Sequence, residues 1–327
     1  MGMRKYSTNN MNRTEQNKYW NVLCDLQGNI EDIENERTRL LENIKYPSSL
    51  FRFRSVSNNS LMALQNNELY FSSADYYDDP FDTYLRMDIG HLENDIKALK
   101  QNIEFVVEKV KESFPNFTIT ENDIVNLCKS STNKSDVINQ VQQLRSVFQR
   151  YIYSICFCEE FQNEVLWLKY AENHTGFVLE YTLNKSILKD IWESKLHANI
   201  LPIYYSNKKY DAYHYAIYYL TLNMVRGNPE IYDKLQWMYP IGWENTKMSI
   251  IKKSCHKYDK EWRIVPLYVL NQREFISWKP KSVTIGLRTP NYKKQLIISA
   301  AKLAGIPEYY EMYIDNNDNF KRRKINV

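Results

Sequence analysis

Glycine is scarce in this chain, with 8 among 327 residues, and no G-x-G-x-x-G or Walker-type sequence occurs. Both motifs need glycines where backbone amides approach a phosphate closely, so their lack argues against Rossmann-type or P-loop nucleotide binding. Cysteine is limited to Cys24, Cys128, Cys156, Cys158 and Cys255, an odd number without C-x-x-C spacing. That pattern argues against a disulfide framework or a four-cysteine zinc site and fits a reducing cytoplasm. His197, His214 and His256 are scattered without ligand spacing, so no metal site is expected. No apolar run reaches the length of a bilayer span, and the polar stretch Met1 to Lys18 lacks the hydrophobic region of a signal peptide. A soluble intracellular protein without a membrane partner is expected. Net charge of +4 licenses only weak electrostatic attraction to nucleic acid.

Aromatic and aliphatic residues are plentiful: 43% of the chain is hydrophobic and 26 residues are tyrosine, enough for a sizeable core. Residues 1–18 read as a disordered leader. Ile30, Ile33, Leu40, Leu41 and Ile44 recur at helical spacing, predicting an amphipathic helix from Asp25 to Ile44 that ends before Pro47. Residues 49–315 read as one α+β core domain, interrupted at about 88–150 by a helical insertion, in which Ile96, Leu99, Ile103, Val106, Val107 and Val110 form one stripe. Strands are expected at Leu50–Arg54, Leu69–Ser72, Tyr151–Cys158, Gly176–Tyr181, Ile200–Tyr205, Arg263–Val269, Ser282–Leu287 and Glu311–Ile314. Helices are expected at Leu61–Gln65, Leu166–Ala171, 185–196, Tyr210–Val225 and Tyr292–Ala304. Residues 316–327 carry the basic run Phe320-Lys-Arg-Arg-Lys324, read as a solvated tail.

Three clusters carry candidate chemistry. Arg52 and Arg54 share one face of their strand because side chains alternate with period two, and the planar guanidinium fork suits phosphate. Ser72 and Ser73 close the next strand, followed by Asp78-Asp-Pro-Phe-Asp82, where Pro80 fixes a turn and Asp79 caps backbone amides. Far downstream, Asp259 and Glu261 stand two residues apart at the mouth of an apolar strand, and a carboxylate there could stabilise an oxocarbenium-like transition state. The bland alternative pairs Glu261 with Arg263 or Lys260. Trp167 and Tyr170 could stack on a nicotinamide or adenine ring or simply fill the core. His174 could be a base or a helix-terminal residue facing the helix dipole. Cys156 and Cys158 read as core residues.

Phe51-Arg-Phe-Arg-Ser55, Leu69-Tyr-Phe-Ser-Ser73 with Asp79-Pro-Phe-Asp82, Cys156-Phe-Cys158, Leu166-Trp-Leu-Lys-Tyr-Ala171 with His174-Thr-Gly-Phe177, and Lys260-Glu-Trp-Arg263 occur in the order seen in a bacterial family. On these motifs the chain resembles the domain-of-unknown-function family 2971 from about residue 50 to about 315. It departs from that pattern at Asp78, His256 and Asp259. The arrangement is also similar, more weakly, to the ADP-ribosyltransferase fold. That similarity implies a mixed β-sheet core, NAD as substrate held by Arg52 or Arg54 with Ser72 and Ser73, and Glu261 as catalytic acid. It further implies a toxin or phage-defence setting, a macromolecular acceptor (protein, RNA or DNA) and an antitoxin or regulatory partner. Two rivals remain from the residues themselves. One is a metal-dependent nuclease using Asp79, Asp82, Glu180 and Glu261. The other is a non-enzymatic module binding a protein through the 25–44 helix and the insertion.

Overall fold

In the computed structural model, residues 11–26, 28, 32–86, 134–208, 210–212, 242–268, 270 and 272–327 are described. The chain begins with helices α1 (Arg13–Asp25) and α2 (Ile33–Leu41). Next come β1 (Ser49–Arg54), α3 (Asn58–Gln65), β2 (Glu68–Tyr70), β3 (Ser72–Ser73) and a 3-10 turn at Ala74–Tyr76. The middle holds α4 (Lys134–Tyr151), β4 (Tyr153–Cys158), α5 (Glu164–Lys169), β5 (Phe177–Thr182), α6 (Lys185–Glu193), β6 (Ala198–Pro202) and β7 (Tyr204–Tyr205). After residue 241 the order is α7 (Gly242–Ser249), β8 (Ile251–Lys252), a 3-10 turn (Ser254–Asp259), β9 (Glu261–Pro266) and β10 (Phe275–Ser277). The chain closes with β11 (Ser282–Ile285), α8 (Asn291–Leu303), β12 (Glu308–Ile314) and β13 (Phe320–Lys324). This is a mixed α+β protein with a mostly antiparallel sheet.

The large sheet runs β13-β12-β11-β5-β1-β4-β9-β6, with β3 added beside β4. Its pairs are antiparallel except β11 with β12, which α8 connects as a parallel crossover. One face buries Phe157, Tyr181, Trp262, Ile264 and Val283 with the flanking helices. The other buries Phe51, Phe53, Cys158, Val178 and Met312 under Leu166 and Trp167 of α5. The period-two alternation of β1 therefore sends its phenylalanines to one side and its arginines to the other.

One irregularity positions the site. Strand β1 follows β5 through six residue pairs from Ser49 to Arg54, yet meets β4 at one, Phe51 opposite Cys158. Farther back along β4, Ser154 and Tyr153 pair with Ser72 and Ser73 of β3 instead. Strand β1 thus parts from β4, and the sheet splits between them.

Several expectations are corrected. Residues 13–18, expected within the disordered leader, belong to helix α1: Asn12 caps Glu15, Glu15 returns the bond, and Tyr19 and Leu23 are buried four residues apart. Their two-residue apolar signal is hidden among polar neighbours. The helix expected over 25–44 is confined to Ile33–Leu41, with Ile30 outside the described residues. The basic stretch 320–324 is strand β13, not a solvated tail, because Arg322 reaches Glu180 at 2.8 Å and Arg323 reaches Glu311 at 2.5 Å. The strand expected over Leu69–Ser72 is two, β2 pairing with β10 and β3 with β4. The insertion stripe over 96–110 and the helix Tyr210–Val225 lie outside the described residues apart from Tyr210 to Ala212, which are not helical.

The corner after α5 is tight. Glu172, Asn173 and His174 all have positive φ (50°, 53° and 66°), and Gly176 follows. A Cβ at Gly176 would sit 2.1 Å from the backbone oxygen of Arg54 and 3.0 Å from that of Ala171. Gly176→Ala must therefore push β1 away from β5, and overpacking of this kind costs about 2–3 kcal/mol. Urea unfolding should show that loss, and an unchanged midpoint would refute the close packing.

Candidate functional site

The split in the sheet opens into a cavity of about 310 Å³, within the range of small-molecule sites. Arg52 and Arg54 of β1, Ser72 of β3, and Ser154 and Cys156 of β4 form one wall. Tyr76 to Asp79, Tyr170, Lys252, His256, Asp259, Glu261 and Arg263 complete it. The register puts Phe51, Cys158 and Glu261 in one cross-strand row, so pleating alone would send Arg52 and Glu261 to opposite faces. Both border one cavity because β1 has left the β4 ladder there.

The acidic end is an ion network. Arg263, 1% exposed, directs Nη1 and Nη2 to the two oxygens of Asp82 at 2.9 and 2.6 Å. Its Nε donates to Glu261 Oε1 at 2.6 Å, and Nη1 also reaches the Ser249 carbonyl at 2.6 Å. Lys252 Nζ lies 2.8 Å from Glu261 Oε2, 2.9 Å from Asp259 Oδ2 and 3.3 Å from Asp82 Oδ2. His256 Nε2 sits 3.1 Å from Asp79 Oδ2, while Asp79 also caps the Phe81 amide at 2.9 Å. Four carboxylates face two permanent cations and a histidine, which leaves this end acidic.

Environment drives the two candidate acids apart. Burial raises Glu261, but Arg263 and Lys252 more than reverse it and hold the carboxyl at about 2. Asp259 stays above its ordinary value because burial outweighs its bond to Lys252. Burial would lower Lys252, yet Glu261 and Asp82 raise it well above a free lysine. At neutral pH Glu261 is a fixed anion with both oxygens oriented by cations.

The basic end is the reverse. Arg52 is 6% exposed; its Nη2 makes one long bond to the Tyr70 carbonyl at 3.4 Å, and its Nη1 is buried without a hydrogen-bond partner. Burial and then neighbouring Arg54 lower it to about 9. Arg54 is likewise lowered, by burial first. Leaving a buried donor unpaired costs about 1–3 kcal/mol, more when charged, unless a ligand supplies the acceptor. Between the two ends, Tyr77 bonds the Ser154 hydroxyl, and the Arg263 guanidinium lies 5.0 Å from the Tyr77 ring centre.

Of the residues singled out in the sequence, Arg52, Arg54, Ser72, Tyr170, Asp259 and Glu261 border the cavity. Ser73, Trp167 and His174 do not. Ser73 is buried, its hydroxyl turned to Asp75. Trp167 is fully buried, edge-on to Phe53 and stacked on His174, whose ring also meets Phe320. Lys252, Tyr76 and Tyr77 line the cavity without having been singled out, and His256, set aside in the sequence for want of ligand spacing, joins them. Lys252 carries no motif, but its place two residues into a short strand beside an acid-rich wall is what matters. Glu180 lies away from the cavity, bonded by Ser49, Ser282 and Arg322. Among the described residues, no group of three or more His, Cys, Asp or Glu is arranged to hold a metal ion, and no helix is long and apolar enough to cross a membrane. Cys24, Cys156, Cys158 and Cys255 are free thiols.

Compared with known proteins, the chain matches no family model, no curated protein and no solved structure.

Two outcomes test the network. Arg263→Ala leaves Asp82 buried without its bidentate partner, and losing one side of such a pair costs about 3–5 kcal/mol in urea unfolding. Glu261 is lowered from 4.5 to about 2, so its stabilising share is complete above pH 4.5 and is lost as pH falls toward 2. Stability measured from pH 7 to pH 3 should therefore fall less steeply in Glu261→Gln than in wild type. Parallel curves would show that Glu261 is not held by these cations.

Proposed function

We propose that the cavity binds NAD and that the protein is an ADP-ribosyltransferase-like enzyme akin to the domain-of-unknown-function family 2971. The observation that carries this reading is the unpartnered, buried Nη1 of Arg52 in the same cavity as Glu261, which is ionised at neutral pH. One end has cationic donors without an acceptor and the other has anions in excess. A ligand with a diphosphate at one end and a positively charged pyridinium riboside at the other satisfies both. Arg52 and Arg54 would take the phosphate oxygens through their planar forks, and Ser72 stands beside them at the mouth of the split.

In the reaction, the glycosidic C–N bond breaks and its electron pair neutralises the pyridinium, releasing nicotinamide. Positive charge develops on the ribosyl carbon and ring oxygen, and Glu261 stabilises it without changing protonation. An acceptor nucleophile forms the new bond to that carbon, and Asp259, raised by burial, takes the acceptor's proton. Water as acceptor gives NAD hydrolysis. The nuclease reading is weaker, since Ser49, Ser282 and Arg322 hold Glu180 away from the cavity that Asp79, Asp82 and Glu261 border.

Labelled NAD incubated with purified protein, with and without cell lysate, tests this. Wild type should release nicotinamide, and Glu261→Gln should reduce turnover about 10²–10³-fold, the usual cost of one electrostatic stabiliser, with NAD affinity kept. Arg52→Gln should weaken NAD affinity instead. Equal nicotinamide release by wild type and Glu261→Gln would overturn the assignment.

A further inference from the structure

Exposed aromatic rings border the cavity or lie on the segments that line it. Tyr76 is 82% exposed, Phe81 52%, Tyr170 45% and Tyr258 37%. Tyr76 and Tyr170 border the cavity itself. Phe81 belongs to the turn that contributes Asp79 and Asp82, and Tyr258 lies beside His256, ring centres 6.1 Å apart. Each outer ring has a lysine companion. Lys169 Nζ is 3.3 Å from the Tyr258 hydroxyl and 5.7 Å from its ring centre, and Lys253 Nζ is 4.2 Å from the centre of Phe81.

From these exposed rings and their two lysine companions we infer that the mouth is the docking surface of the acceptor, and that the acceptor is single-stranded nucleic acid. The inference rests on the ribosyl-transfer reading of the cavity and supplies its missing partner. Exposed rings offer stacking planes to unpaired bases, whatever their sequence, while interleaved lysines meet the phosphates. A protein partner would fit this composition less well, because lysine is depleted where tyrosine is enriched at protein interfaces. Charge layout also sets the orientation. The carboxylates Asp78, Asp79 and Asp259 border the cavity and repel phosphate, whereas Lys169 stands on its border beside Tyr258 and Lys253 lies outside it with Phe81. The backbone therefore stays at the perimeter and a base turns inward, where nucleophilic chemistry on it requires that it be out of a stack. The base nitrogen bonds to the ribosyl carbon and gives its proton to Asp259, and nicotinamide departs with the electron pair of the broken C–N bond.

The test uses the full chain and short labelled single-stranded RNA and DNA oligonucleotides, read by fluorescence anisotropy without NAD, with nicotinamide release measured in parallel. Wild type should bind single strands more tightly than duplex, with affinity falling as salt rises. Phe81→Ala and Tyr258→Ala, both outside the cavity wall, should each weaken binding about tenfold and leave acceptor-free nicotinamide release unchanged. Tyr258→Trp, which keeps a stacking plane, should retain binding. Failure of wild type to bind oligonucleotides, equal affinity for duplex, or full affinity in both alanine variants would overturn the inference. If nicotinamide release persists through such a failure, the NAD reading stands alone. If oligonucleotides bind as expected but Glu261→Gln releases nicotinamide like wild type, it is the NAD reading that fails.

Discussion

Arg263 is the constraint on which the rest of this structure depends. A guanidinium 1% exposed to solvent is tolerated in a protein interior when its donors are met and its charge is balanced. Here Asp82 takes it bidentately, Glu261 takes Nε, and the Ser249 carbonyl and Thr83 hydroxyl also accept from Nη1. Those partners come from a turn early in the chain, the end of α7 and the first residue of β9. Satisfying one cation therefore pins three distant segments together, and Lys252 repeats the device from β8 by touching Asp82, Asp259 and Glu261. Since these groups also form a wall of the cavity, the same interactions set the protein's stability and the position of its candidate catalytic carboxylate.

The opposite wall breaks the rule that the acidic wall obeys. Arg52 is nearly as buried as Arg263 but has no counter-charge among the described residues, a like-charged neighbour in Arg54, and one nitrogen with no acceptor. A fold that meets every nitrogen of one buried arginine and leaves one of another's without an acceptor is tolerating an instability at a definite place. The split between β1 and β4 explains how the place arises. Where β1 leaves the ladder, β3 takes over the edge of β4, and the arginines face an opening instead of a packed neighbour.

How far the sequence discloses this can be traced residue by residue. Strands such as Phe51-Arg-Phe-Arg54, where apolar and charged residues alternate, and β9, expected over Arg263–Val269 and found over Glu261–Pro266, are legible in their β-type residues. Helix α1 is not, since Tyr19 and Leu23 are its main apolar anchors and Asn12 with Glu15 supplies the rest through capping. Strand β13 hides for the opposite reason: its charges look solvated until Glu180 and Glu311 on neighbouring strands are seen to meet them. In the site, Arg52, Ser72 and Glu261 declare themselves by residue type at strand ends. Trp167 and His174 mislead, because an aromatic at a helix surface and a histidine at a helix end look the same whether they face a ligand or each other. Lys252 is illegible for a deeper reason. Its role comes wholly from three carboxylates that the chain brings in from elsewhere.

The pairing of Asp259 with Glu261 is the point at which sequence spacing and folded chemistry diverge most usefully. On an extended chain, two acids at this spacing would project alike and titrate alike. In the fold, Asp259 ends a 3-10 turn and Lys260 adopts a left-handed conformation with φ 45°, so the two carboxylates approach Lys252 from different directions. Glu261 gains Arg263 as well, and Asp259 does not. One extra guanidinium is enough to push their affinities for a proton in opposite directions, and that divergence separates two tasks otherwise open to either acid. A carboxylate that stays charged at neutral pH suits a developing cation, and one that holds a proton more readily suits an acceptor that must lose one. In the proposed reaction both are needed on the same side of the ribose, and a shared lysine keeps them there.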